Sequence, residues 1–78
     1  MDWKKIKIPA GHRLLKAHTF MYMAGGATYR LEVDEYADGK FAGHGEHASD
    51  ESQQLSSVIG TSVEECLQAL VDGIGKKG

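Results

Sequence analysis

Between His18 and His47 the apolar side chains fall largely on alternate positions, the period of a strand with one buried face. Gly25-Gly26 interrupts the run as a two-residue hairpin turn. Closing it pairs Ala24 with Ala27, Tyr22 with Tyr29, Phe20 with Leu31 and His18 with Val33, so most large apolar residues share one side. Downstream, Ala37-Asp38-Gly39 can close as a two- or a three-residue loop. The shorter loop pairs Val33 with His44 and puts Phe41 on the wrong face. The longer one gives Gly39 the left-handed position of a bulged turn and sets Glu35 opposite Phe41, Val33 opposite Gly43 and Tyr29 opposite His47. Register follows the apolar face, so the three-residue loop is expected. The other face then pairs Arg30 with Glu46 and Glu32 with His44, both electrostatically favourable. The pattern predicts three antiparallel strands, at 17–24, 27–36 and 40–47.

The period changes near the C-terminus. Val63, Cys66, Leu67, Leu70, Val71 and Ile74 recur at helical spacing and cover an arc of roughly 140°. Thr61 or Ser62 can cap this helix, with Glu64 or Glu65 in the third position of a capping box, and Gly75 is placed to end it. The spacing therefore predicts a helix over 62–74. Gly43 and Gly45 lie on the apolar face of the third strand, where missing side chains allow this helix to approach closely.

Two stretches are less patterned. Ile6 and Ile8 alternate with Lys5 and Lys7 before Pro9, which suits an edge strand followed by a loop over residues 1–16. Residues 48–54 read as a polar loop, and Leu55 to Ile59 as a short additional strand. The expected architecture is α+β, one single small domain over 1–78. It is an antiparallel β-meander of three to five strands with one C-terminal α-helix packed on one face. The helix stripe should bury against Phe20, Tyr22, Tyr29, Leu31, Val33 and Phe41.

Composition narrows the function classes. The 78 residues are 41% hydrophobic, too apolar for a disordered chain, and no apolar run reaches the ~20 residues that span a bilayer. The first residues are basic but lack an apolar segment behind them, so no signal peptide is expected. The single cysteine cannot form an intramolecular disulfide, which points to a reducing, cytoplasmic setting. At this size a core leaves only ~3–5 kcal/mol of net stability, and a homodimer or bound partner would add to it. The formal net charge is −2, unevenly spread, with a local +4 over residues 1–18 and a local −6 over residues 32–52.

Candidate chemistry is sparse. His44-Gly45-Glu46-His47 has metal-site composition, but strand residues three apart point to opposite faces, so His44 and His47 cannot chelate one ion together. We expect no metal and no cofactor, with His44 a surface partner of Glu32. Cys66 lies in the apolar stripe and reads as a small core residue, inert rather than nucleophilic. No nucleophile–base–acid set is visible, so catalysis is not expected. Met21, Met23 and Thr28 fall on the face opposite Phe20, Tyr22 and Tyr29. The N-terminal segment, through Trp3 or Leu14-Leu15, is expected to fold over them as a second small core, and uncovered they would form an adaptable contact surface.

One resemblance adds to this. Tyr29 to Glu35, Asp38-Gly39, Lys40 to His47, Leu55 to Ile59 and Gly60-Thr61-Ser62-Val63-Glu64-Glu65 follow one another as strand, acidic turn, strand, short strand and capped helix start. In that order residues 28–74 resemble the N-terminal domain of HicB-type antitoxins. The chain departs from the family in two places. Glu46 to Gln54 stands where the family has Pro-Asp-Leu-Pro-Gly, and an N-terminal arm, Trp3 to Ala24, precedes the match. The resemblance implies a sheet with one helix that binds and masks a small basic nuclease toxin.

The expected function is therefore protein binding, antitoxin-like or as a small phage-type inhibitor. The candidate contact residues are Glu32, Asp34, Glu35, Asp38 and Glu46, with Met21 and Met23 beside them. Trp3, Lys4, Lys5, Lys7 and Arg13 could instead track a phosphate backbone, although net acidity argues against nucleic acid. A homodimeric structural protein with Met21 and Met23 between subunits is the third class.

Overall fold

Two glycines with positive φ, Gly25 (60°) and Gly39 (94°), turn the chain twice and set the register of the central meander. The computed structural model describes residues 1–77 and, among these, the side chains of all but 50–53 and 77. Strand β1 (Leu15–Ala24) folds back onto β2 (Ala27–Tyr36), and β2 onto β3 (Phe41–His47). The pairs are the expected ones: Tyr22 opposite Tyr29, Phe20 opposite Leu31, Val33 opposite Gly43 and Glu35 opposite Phe41. Positive φ at Gly25 alone in the first turn is the signature of a type II′ hairpin, whose twist matches the strands it joins. In the second, the Gly39 N–H donates to the Tyr36 carbonyl (3.1 Å) and the Tyr36 N–H to the Lys40 carbonyl (2.9 Å).

Strands β4 (Asp50–Gln54) and β5 (Val58–Gly60) both pair with β3, so the sheet has five strands in the order β1-β2-β3-β4, with β5 also on β3. Of the polar loop expected over 48–54, residues 48–49 form a turn and 50–54 form a strand. Its side-chain pattern carries no strand signal because the ladder is a backbone property, and the pairing is irregular, with a register shift at Glu46 and His47. The edge strand expected at the N-terminus is also absent. Trp3–Lys5 form one 3-10 turn, begun by Asp2, whose carboxylate accepts from the Lys4 N–H (3.1 Å). Lysine-isoleucine alternation over so few residues does not by itself make a strand, and here the segment begins with the 3-10 turn instead.

Helix α1 (Val63–Lys77) completes the α+β fold. Ser62 Oγ accepts from the Glu65 N–H (3.0 Å), and the Glu65 carboxylate reaches back to the Thr61 N–H (3.0 Å), one residue earlier than in a standard capping box. The helix runs through Gly75 instead of ending there, since Gly75 keeps a negative φ and a helical glycine costs only ~1 kcal/mol. No helix among the described residues is long and apolar enough to cross a membrane.

Leu31, Val33, Cys66, Leu70 and Ile74 are buried, with Tyr22, Tyr29, Leu55, Val58, Leu67 and Val71 packed around the Leu31–Leu70–Ile74 centre. Phe20 is not part of this core and stays 37% exposed. A helix ~10 Å across covers about two strands spaced ~4.8 Å apart, and α1 sits on β2, β3 and β5 rather than on β1.

The helix and β5 both pack closely against Gly43. A Cβ there would lie 2.8 Å from Val58 Cγ2, 3.2 Å from Leu70 Cδ1 and 3.3 Å from Cys66 Cβ. At Gly45 the tight neighbours are instead Leu31, Leu55 and the Arg30 carbonyl. Gly43→Val is therefore expected to destabilise the fold by about 1–3 kcal/mol through overpacking, read as a lower denaturation midpoint in urea.

Candidate surface site on the open sheet face

Alternation along the strands divides the candidate residues between two faces. Thr19 opposes Glu32, Met21 opposes Arg30 and Met23 opposes Thr28, while β3 sets His44 against Glu32 and Glu46 against Arg30. All of these lie on the face away from α1. Glu32, Asp34, Glu46, Met21 and Met23 are thereby brought onto one surface, as a shared face requires. Glu35 is on the helix side and Asp38 is in the β2–β3 turn, where its carboxylate accepts from the Lys40 N–H (3.1 Å). Three of the five acidic candidates converge, and two do not.

Met21 and Met23 are 62% and 77% exposed, so the second small core expected to cover them does not form. The N-terminal segment reaches the opposite end of the meander, where Lys4 Nζ lies 3.0 Å from Glu35 Oε2 and the Arg13 guanidinium sits 5.9 Å from the Tyr36 ring centroid. Ile59, opposite Ala42 on β5, adds an 84% exposed side chain at that end of the open face. The open face thus has an acidic middle with apolar side chains towards both ends. A shallow groove of about 610 Å³ runs over it, lined by Met21, Arg30, Glu32, His44 and Glu46 and by the edge segment through Leu55.

The middle of the face is unevenly neutralised. Arg30 Nη2 donates to Glu46 Oε1 (2.9 Å), so Glu46 has a full cation beside it. Glu32 and Asp34 sit two residues apart on one strand face, and what faces both is His44, whose Nε2 lies 3.0 Å from Glu32 Oε2 and 3.4 Å from Asp34 Oδ2. A hydrogen bond to Asp34 pushes the Glu32 carboxyl above its ordinary value, burial and the Asp34 charge add to this, and His44 opposes it. Among the described residues no lysine or arginine pairs with either carboxylate. The pairing of Glu32 with His44 was legible in the sequence. Asp34 was a candidate contact residue but was not joined to that pair, although its position two residues from Glu32, once the register is known, places it there.

On the helix side Glu35 is held differently. The His18 ring and the Lys4 ammonium, both 3.0 Å away, lower its carboxyl below the ordinary 4.5. A carboxylate so depressed stabilises the fold above its unfolded value, and the contribution disappears as pH falls through the lowered folded value. Glu35→Gln is expected to make stability less sensitive to acid below pH ~4.5, measured by urea titrations at several pH values.

The remaining candidates separate from any site. His47 is on the helix face, its ring edge-on to Tyr29 with centroids 5.2 Å apart, while His44 faces outward. Cys66 is fully buried, and burial, with Glu65 nearby, raises its thiol further from reactivity. Of the basic set, Lys4 is engaged by Glu35, its ammonium lies 5.9 Å from the centroid of the half-buried Trp3 ring, and Arg13 stacks on Tyr36. Lys5 and Lys7 do not continue them as a strand-borne stripe. None of the family models, curated proteins or solved structures compared with the chain matches it.

Proposed function

We propose that the chain is a non-catalytic protein-binding module that docks a basic partner on the open face of its sheet. The observation that carries this reading is the Glu32–Asp34 pair, central on the face and given no lysine or arginine among the described residues. A partner lysine or arginine placed there gains a charge-assisted contact and competes only with the His44 ring, not with a lysine or arginine of the described residues. Met21 and Met23 on one side supply polarisable, adaptable apolar area of the kind used at contact surfaces. The succession of hairpin, short strand and capped helix supports an antitoxin-like use, in which the masked partner is a small basic protein. A phage-type inhibitor would use the same surface in the same way. Either role suits a cytoplasmic setting, where the Cys66 thiol stays reduced.

Self-association is the second reading, favoured by the exposed methionines and by β1, which pairs with β2 alone and leaves its outer edge free. The immobilised chain, offered native cell extract at low and high salt with and without nuclease, distinguishes these. Docking on the acidic face predicts a basic protein that survives nuclease and elutes with salt. Recovery that depends on nucleic acid contradicts it, and retention of free copies of the chain alone points to self-association.

A further inference from the structure

We propose that Glu32, Asp34 and His44 form a site for a borderline divalent transition-metal ion such as Zn2+. The three donors come from two strands whose ladder holds them. Glu32 and His44 are directly opposed across β2 and β3, and Asp34 is two residues along β2 on the same face. Ligand atoms ~2.1 Å from an ion, at octahedral or tetrahedral angles, lie ~3.0–3.4 Å apart. His44 Nε2 lies 3.0 Å from Glu32 Oε2 and 3.4 Å from Asp34 Oδ2, and one donor atom from each of the three residues falls within 4.8 Å of the others. Small side-chain adjustments on a fixed backbone then suffice to close the site.

Charge and chemistry point the same way. Glu35 is matched by Lys4 and Glu46 by Arg30, but Glu32 and Asp34 share one imidazole. A dication between them relieves the repulsion of two adjacent carboxylates more fully than one histidine does. The nitrogen donor sets this group apart from an ordinary acidic patch, because imidazole favours zinc, copper and nickel over magnesium and calcium. Three protein ligands leave further positions to water, as in open zinc sites. To bind the ion, His44 presents the Nε2 lone pair of a neutral ring whose one proton is on Nδ1, and protons compete with the metal for the imidazole and carboxylate donors. His47, on the other face, takes no part. The site is a property of the isolated chain and does not rest on partner docking; it uses the same two carboxylates, so a bound ion and a partner's cation would compete for them.

The test is isothermal titration of the whole chain with ZnCl2, compared with MgCl2 and CaCl2. One Zn2+ per chain is expected, bound at least about tenfold more tightly than either comparison ion. His44→Ala and Asp34→Asn are each expected to weaken Zn2+ binding about tenfold or more, and His12→Ala to leave it unchanged. Far-UV circular dichroism checks that each variant is folded. Independently of any variant, Zn2+ should shift the ring resonances of His44 first and furthest among the four histidines. Absence of saturable Zn2+ binding overturns the proposal, as does binding that persists in a folded His44→Ala chain or shifts another histidine instead.

Discussion

Leu70→Ala is expected to leave a large fraction of the chain unfolded at room temperature. Leu70 is 1% exposed and packs with Leu31 and Ile74 at the centre of the core. Removing it subtracts the transfer free energy of the lost methyls and adds a cavity, together about 2–5 kcal/mol. A domain of this size holds only ~3–5 kcal/mol in total, so one side chain accounts for most of the margin. Substitution on the open face has no such effect. Ile59→Ala removes a side chain of similar size that is 84% exposed, and is expected to stay within about 0.5 kcal/mol of the parent. Urea denaturation of the two variants makes the comparison. Similar midpoints for both would mean that α1 does not seal the sheet as described.

The largest functional effect is expected from Glu32→Lys combined with Asp34→Lys. The pair sits where the proposed partner presents its cations, so reversal replaces attraction with like-charge contact across the interface. Such juxtapositions cost several kcal/mol, and capture should fall by at least about tenfold. The fold should tolerate the change, because neither side chain is buried in the core and the parent arrangement already carries carboxylate repulsion. Glu64→Lys combined with Asp72→Lys, two exposed acids on the helix, makes the same change in net charge away from the open face and serves as the matched control. Equal loss of capture in both would reduce the effect to long-range charge.

How much of this was legible depends on how many independent signals agreed at each element. The two hairpins were readable because Gly25 and Gly39 supply the backbone conformations the turns demand and the apolar face permits one register. The helix was readable from its stripe and its Ser62–Glu65 start. Strand β4 was not, since a polar segment pairing through its backbone leaves no side-chain period to detect. Phe20 shows another limit. Alternation assigns it to the helix face, but only the width of α1 and its placement over β2, β3 and β5 decide that the residue stays half-covered. The site divides similarly. Register from sequence put Glu32 against His44 and Arg30 against Glu46, yet grouping Glu35 and Asp38 with them followed chain proximity, which strand alternation and the turn undo. The exposure of Met21 and Met23 depended on where the N-terminal segment goes, and the Lys4–Glu35 contact that draws it away joins residues far apart in the chain.

Methionine oxidation footprinting tests the docking face most directly. With dilute peroxide and mass spectrometry, Met21 and Met23 should oxidise readily in the free chain and become protected when the partner is captured, while Met1 changes little. Protection of neither methionine on capture, or protection of both in the chain alone, would contradict a surface that is open in the free protein and covered by its partner.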